Sequence, residues 1–223
     1  MILNFILWFI CELIEIFAIV KIYKKVESKV KSRFYFICLC IFTVIIAPLA
    51  SLINLLLYYI ILMVQPFLFY AYFYKKEKLP NYLSLFLSFF LYLATQASST
   101  FFSVIISSIT GDQFVKSNWA IFYITINSIS VLFMLKSIDY FEFQLRDFKD
   151  SSFKKTVQKT NIYYFLTILI LNVSHWLSED DHFNSFSSML ATICFLIFMT
   201  TLFYLKAIRE KYEKEEEIRQ REL

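Results

Sequence analysis

From Asn81 through Gly111 the chain carries no charged residue, and the run is framed by Lys75, Lys76, Lys78 and Pro80 before it and Asp112 after it. That is longer than the ~20 apolar residues a helix needs to cross a hydrocarbon core. On a helix advancing about 100° per residue, Ser84, Ser88, Tyr92, Thr95, Ser99, Ser103 and Thr110 share one side, and Leu, Phe and Ile fill the rest. A membrane helix with one hydroxyl stripe turns that stripe away from lipid. The stripe has two readings: small polar residues that let helices pack closely, or one wall of a wet, ligand-facing cavity. Either way, this helix belongs in the middle of a bundle.

The rest of the chain supplies the bundle. Hydrophobic residues make up 59% of it and the mean hydropathy is +0.60, too apolar for a soluble domain of this length. Apolar segments run over 2–20, 34–49, 55–74, from 81 onward, 119–135, 162–177 and 183–205. The fold class expected is all-α: a polytopic membrane bundle of seven transmembrane helices, with residues 1–205 as the membrane domain and 206–223 as a charged extension. The short alternation of a β-barrel is absent. Gln65-Pro66 is expected to kink the third span by removing a backbone donor. Cys11, Cys38, Cys40 and Cys194 lie within predicted spans and read as free thiols filling space. The first segment is not a signal peptide by charge order, because Lys21, Lys24 and Lys25 follow the apolar run instead of preceding it.

Orientation follows from the basic residues. With the N-terminus outside and the C-terminus cytoplasmic, the inner segments hold 21 of the 22 Lys and Arg, and only Lys116 is outside. The outer turns then carry Asp112, Glu179, Asp180 and Asp181 against that one lysine, a net of −3. Between the fifth and sixth spans, Asp139 to Thr160 is polar with spaced aromatics (Tyr140, Phe141, Phe143, Phe148, Phe153) and reads as a stretch partly in the headgroup layer.

The first span contains Glu12 and Glu15. Its thirteen Leu, Ile, Phe and Val residues contribute about −0.3 to −0.6 kcal/mol each on the insertion scale, and two central acids cost about +2.5 to +3.5 each. The sum is close to zero, so the span needs partners. Glu12 and Glu15, with Ser88, Thr95, Ser99 and Ser103 of the hydroxyl stripe, are the candidate intramembrane polar residues, and they are expected to pack together.

No catalytic constellation is visible. One glycine in the chain excludes a Gly-rich phosphate loop, and Asp180, Asp181 and His182 are three adjacent loop residues, a poor metal site. No metal, cofactor or nucleic-acid partner is expected. The extension from Lys206 continues the seventh span without a turn signal. Glu210 with Lys214, Glu215 with Arg219, and Glu217 with Arg221 are acid-before-base pairs at helical spacing. The heptad is weak, because Glu215 and Arg219 occupy seam positions.

Two segments carry a resemblance. The predicted outer loop Ser107-Ser108-Ile109-Thr110-Gly111-Asp112-Gln113-Phe114 and the span opening Phe183-Asn184-Ser185-Phe186-Ser187-Ser188-Met189-Leu190 resemble the peptide-pheromone receptor histidine kinases of Gram-positive bacteria, in particular the streptococcal competence and bacteriocin receptors. The resemblance implies a multi-pass plasma-membrane sensor for a short secreted, cationic and amphipathic peptide. It implies a homodimer through the C-terminal helix and a quorum-sensing two-component relay to a cytoplasmic kinase and its response regulator. The family's phospho-accepting box contains Arg-His-Asp. Neither Ser174-His175-Trp176 nor Asp181-His182-Phe183 fits it, and the ATP-binding boxes are missing. The expectation is therefore a sensor portion alone, not an enzyme. A cationic peptide would be gathered by Asp112, Glu179, Asp180 and Asp181, and its apolar face would lie against Phe114, Trp119, Trp176 and Phe183.

Two rivals come from other classes: a stand-alone membrane protein, such as a bacteriocin immunity factor or a transporter component, and a polytopic membrane enzyme, for which no clustered catalytic groups are visible. The topology is open to a direct check. A reporter active only in the cytoplasm is expected to work when fused after Lys31, Lys76, Lys149 or Arg209 and to fail after Gln113 or Asp181; activity at Asp181 would remove the seven-span arrangement.

Overall fold

The structure, a computed structural model, describes residues 2–26, 36–42, 46, 49, 55–111, 118–141, 148, 153–177 and 184–221. Among these residues there is no strand. Six helices are bounded: α1 (Ile2–Val26), α2 (Leu55–Lys75), α3 (Asn81–Thr110), α4 (Trp119–Tyr140), α5 (Lys154–Leu177) and α6 (Asn184–Arg221). Residues 36–42 are helical as well. Three of the helices are long and apolar enough to cross a membrane: α3, α4 from Ile121, and α6 from Ser185. Large apolar side chains, among them Phe17, Ile121, Leu132, Leu196 and Phe203, are exposed on the outer surface, as helices that cross a membrane require. The chain is an all-helical membrane protein.

The uncharged run becomes α3, and the bundle is built around it. From Phe86 to Thr95 every residue of α3 is buried, on all sides of the helix, which is what an all-round apolar helix requires. Five other helices touch it: α1, α2, α4, α5 and α6. Its entry is set by Pro80, whose φ of −54° and ψ of 147° hold an extended start; the Pro80 carbonyl accepts from the N–H groups of Leu83 (3.0 Å) and Ser84 (2.9 Å). Its exit is Gly111, with φ 79° and ψ 155°, whose N–H donates to the Ser107 carbonyl. That conformation is open essentially to glycine alone. The one glycine of the chain therefore sits where the central helix has to stop.

Contacts between helix ends fix the directions. Asn161 meets Tyr82, Asn172 meets Tyr92, and His175 meets Thr100, so α3 and α5 run parallel. Lys25 pairs with Asp139 at 2.5 Å, and Lys206 Nζ donates to the Tyr140 carbonyl at 3.1 Å. The C-terminal ends of α1 and α4 and the cytoplasm-predicted part of α6 thus lie together. The α2–α3 turn, with Lys75, Lys76 and Lys78, falls at the same end as Lys154 at the start of α5.

Aromatic rings fill the spaces between helices. Tyr23 and Phe36 pack with Phe69, Tyr72 and Phe73 at the basic end. Phe86 stacks on Tyr164 at 5.7 Å and meets Phe90 and Phe148. Phe101 lies 4.1 Å from Phe195 with planes 9° apart, next to Phe102 and Phe133. Offset stacks and tilted pairs of this kind match the aromatic quadrupole.

Three sequence readings change here. The aromatics of Asp139 to Thr160, read as lying partly in the headgroup layer, are mostly covered by protein where they are described. Phe141, Phe148 and Phe153 are buried against Phe203, Phe86 and Tyr212, and only Tyr140 is outward. Second, α4 continues past Leu135 to Tyr140 and α5 begins at Lys154, before Ile162. Hydropathy fades where lysines enter, yet Val157, Thr160, Asn161 and Tyr164 keep one buried face at helical spacing. Third, the extension pairs mostly base before acid: Lys206 with Glu210, Arg209 with Glu213, and Lys211 with Glu215. Arg219 takes Glu216, and of the expected pairs Glu217 with Arg221 forms, at 4.0 Å. These exposed pairs are worth little individually. The described cysteines Cys38, Cys40 and Cys194 are not joined in disulfides.

Lipid removes most of the hydrophobic drive between helices, leaving packing as the main loss when a core ring is cut away. Phe86→Ala is expected to lower unfolding stability in detergent by on the order of 2 kcal/mol, the cavity part of such a deletion. The outward Phe203→Ala should cost clearly less; equal losses in a denaturation series would contradict the placement of α3 at the centre.

Candidate functional site

The acid in α1 finds its partner on α3. Gln96 Nε2 donates to Glu15 Oε1 at 2.8 Å. The pair edges a cavity of about 20 Å³ between α1, α3 and α4, whose other polar walls are Thr95, Ser98 and Ser99 of α3 and Asn127 and Ser130 of α4. A space of that size holds about one water molecule. The Ser130 hydroxyl is buried and has no hydrogen-bond partner among the described residues. The site is therefore a small polar chamber inside an apolar bundle.

Each helix reaches the chamber for a local reason. Ala18, Ala94 and Ser98 are small, which lets α1 and α3 approach closely, and all three are buried. The hydroxyls of α3 are mostly turned back on their own helix. Ser88 donates to the Leu85 carbonyl (2.8 Å), Thr95 to Leu91 (3.1 Å), Ser98 to Ala94 (2.5 Å) and Ser99 to Gln96 (3.1 Å). Such back-bonding satisfies the hydroxyl without a second helix. The stripe thus serves close packing along most of its length and forms a cavity wall only at Thr95 and Ser99.

A second set of polar contacts ties α3 to α5. Asn161 Nδ2 donates to the Tyr82 carbonyl at 2.9 Å, Asn172 Nδ2 donates to Tyr92 Oη at 3.1 Å, and Thr100 Oγ1 lies 2.9 Å from His175 Nε2. Close by, Ser174 Oγ donates to the Ser187 carbonyl at 2.7 Å, joining the end of α5 to the start of α6. These contacts make a column of bonds along the length of the bundle.

Of the candidate intramembrane residues, Glu15, Thr95 and Ser99 come together at the chamber. Ser88 is buried elsewhere on α3, and Ser103 is half-buried one turn beyond Ser99. The side chain of Glu12 lies outside the described residues. So do Asp112, Phe114, Glu179, Asp180, Asp181 and Phe183. Trp119 is half-buried at the start of α4, and Trp176 is 60% exposed at the end of α5. No group of three or more His, Cys, Asp or Glu that could hold a metal occurs among the described residues.

Sequence reasoning passed over Gln96, Asn127, Ser130 and Asn172. A signal was present: the apolar runs of α1 to α5 each carry a strongly polar residue deep inside, namely Glu15, Gln65, Gln96, Asn127 and Asn172. In hydrocarbon such a residue seeks a partner on another helix, and Glu15 with Gln96 and Asn172 with Tyr92 are two such matches. No family model, curated protein or solved structure matches the chain.

The Glu15–Gln96 contact makes opposite demands on its two members. In Glu15→Gln an amide oxygen of equal size still accepts from Gln96, so stability should hold. In Gln96→Leu the buried carboxyl loses its donor, at an expected cost of about 1–3 kcal/mol. A double-mutant cycle should return a coupling near 0.6 kcal/mol and not above about 1.7, the range for hydrogen bonds between membrane helices. Zero coupling would mean the contact is incidental.

Proposed function

We propose that the chain is the membrane sensor module of a peptide-pheromone receptor: a seven-span, multi-pass protein of the plasma membrane, N-terminus outside, which passes an extracellular peptide signal to a cytoplasmic histidine kinase. The observation that carries this reading is α6. It runs unbroken for 38 residues from Asn184 to Arg221, leaving the core after Leu202 and Leu205 and becoming exposed from Glu210 onward. An uninterrupted helix is a rigid rod of about 1.5 Å per residue, so a displacement at its start beside Ser174 reappears at its charged end.

The charge distribution supports the same direction of flow. Lysines at the ends of three helices, α1, α2 and α5, gather at the side from which the extension leaves. The predicted outer turns are acidic, and Trp176 presents an exposed ring near them. In this reading the acids gather a cationic amphipathic peptide, and its apolar face binds beside Trp119, Trp176, Phe114 and Phe183. The column of contacts between α3 and α5 and the polar chamber at Glu15 are the elements that reset when it binds. The exposed extension is where two copies meet, and phosphoryl transfer to a response regulator belongs to the cytoplasmic kinase that receives the signal.

The test is binding of synthetic amphipathic peptides of net positive charge to the purified protein, at low and high salt. Changing Asp112, Asp180 and Asp181 together to Asn should weaken binding by about 0.2–1 kcal/mol per exposed pair lost and flatten the salt dependence. Trp176→Ala should weaken it more, because rings in a desolvated contact carry most of the energy. Affinity that ignores salt, the triple change and the Trp176 change together would remove the receptor reading.

A further inference from the structure

A groove of about 610 Å³ opens between the start of α3 and the first turns of α5. Its two ends differ in chemistry. Lys154 and Gln158, both exposed, and Asn161 stand at the helix-end rim, whereas Leu85, Phe89 and Phe165 form the floor deeper in the apolar zone. Phe67 of α2 packs on two of the floor rings, 6.0 Å from Phe89 and 6.5 Å from Phe165. The groove is preformed, because the Asn161 bond to the Tyr82 carbonyl pins its two walls together.

The rim carries one lysine, Lys154, and more stand on the neighbouring helix ends. Lys75 ends α2, Lys76 and Lys78 follow it before Pro80, and Lys155 and Lys159 lie with Lys154 on α5; all six are exposed. The one acid within that turn, Glu77, is buried and accepts a 2.8 Å hydrogen bond from Tyr72 Oη, and the lysines outnumber it. Among the described residues no acid pairs with Lys154.

A basic rim over an apolar, ring-lined slot is complementary to one kind of molecule: an amphiphile with an anionic head and a hydrocarbon tail. We propose that this groove is a binding site for an anionic glycerophospholipid, with its phosphate at Lys154 and one acyl chain along Phe89 and Phe165. Basic pockets between helix ends recognise anionic headgroups through this charge match, and the apolar floor retains the chain. The site depends on the membrane character of the chain and not on peptide sensing, so either can fail alone. Because the lipid would touch α3 and α5 at once, it would steady the pair of helices that the column of polar contacts joins.

Native mass spectrometry of the purified protein tests this, with palmitoyl-oleoyl phosphatidylglycerol and phosphatidylcholine of the same chains as probes. Phosphatidylglycerol should be retained preferentially, and Lys154→Gln should reduce that preference about fivefold, the effect of one lysine at an anionic surface. Lys211→Gln, an equally exposed change on the extension, should leave it unaltered. Glycerol phosphate at the same concentration should not displace the lipid, since it lacks the chain. Equal retention of the two lipids, an equal effect of Lys211→Gln, or displacement by glycerol phosphate would each overturn the assignment.

Discussion

Every polar group within a bilayer has to be satisfied inside the protein, and α3 is where this bundle meets that requirement. The helix is covered on all sides from Phe86 to Thr95, so its hydroxyls there have no bulk water to turn to. Their answer is local: Ser88, Thr95, Ser98 and Ser99 bond to carbonyls of their own helix. The longer side chains Tyr92 and Gln96 cannot be satisfied so simply, and they reach α5 and α1. The remaining helices are placed by those few directional contacts and by rings that fill the gaps between them.

The same rule gives the bundle two unlike ends. At one end lysines from the tips of α1, α2 and α5 gather with the start of the charged extension, where Lys25 meets Asp139 and Lys206 meets the Tyr140 carbonyl. At the other end α3 stops at Gly111, and Thr100, His175, Ser174 and Ser187 tie three helices together. Among the described helices, α6 alone begins at that second end and continues past the first into the extension. In the receptor reading this makes it the route for a signal, with the α3–α5 column as the element that the signal moves.

The helical membrane class, the bounds of α3 and the continuity of α6 were all legible in residue order, because they depend on local properties. Charge-free length, Pro80 before the run, Gly111 after it, and the absence of any breaker between Asn184 and Arg221 each act within a few residues. The identity of Glu15 as a residue in need of a partner was legible too, from the insertion balance of its own span. The resemblance to pheromone receptors rests on short segments, and much of what it implies concerns residues outside the described structure.

Which residue answers Glu15 was a matter for the tertiary structure. Gln96 lies 81 positions away, and no periodicity links them. The burial of Phe141, Phe148 and Phe153 was decided the same way: aromatics spaced among charges look interfacial until α3 and α6 are present to cover them. The extension's ion pairs also changed, since Glu210, Glu215 and Glu217 each have a base at helical spacing on both sides and side-chain geometry makes the choice. Sequence determines what each helix must hide, because hydrophobicity and backbone preference are properties of neighbours along the chain. Only the packed bundle decides which helix hides it, because pairing is a property of neighbours in space.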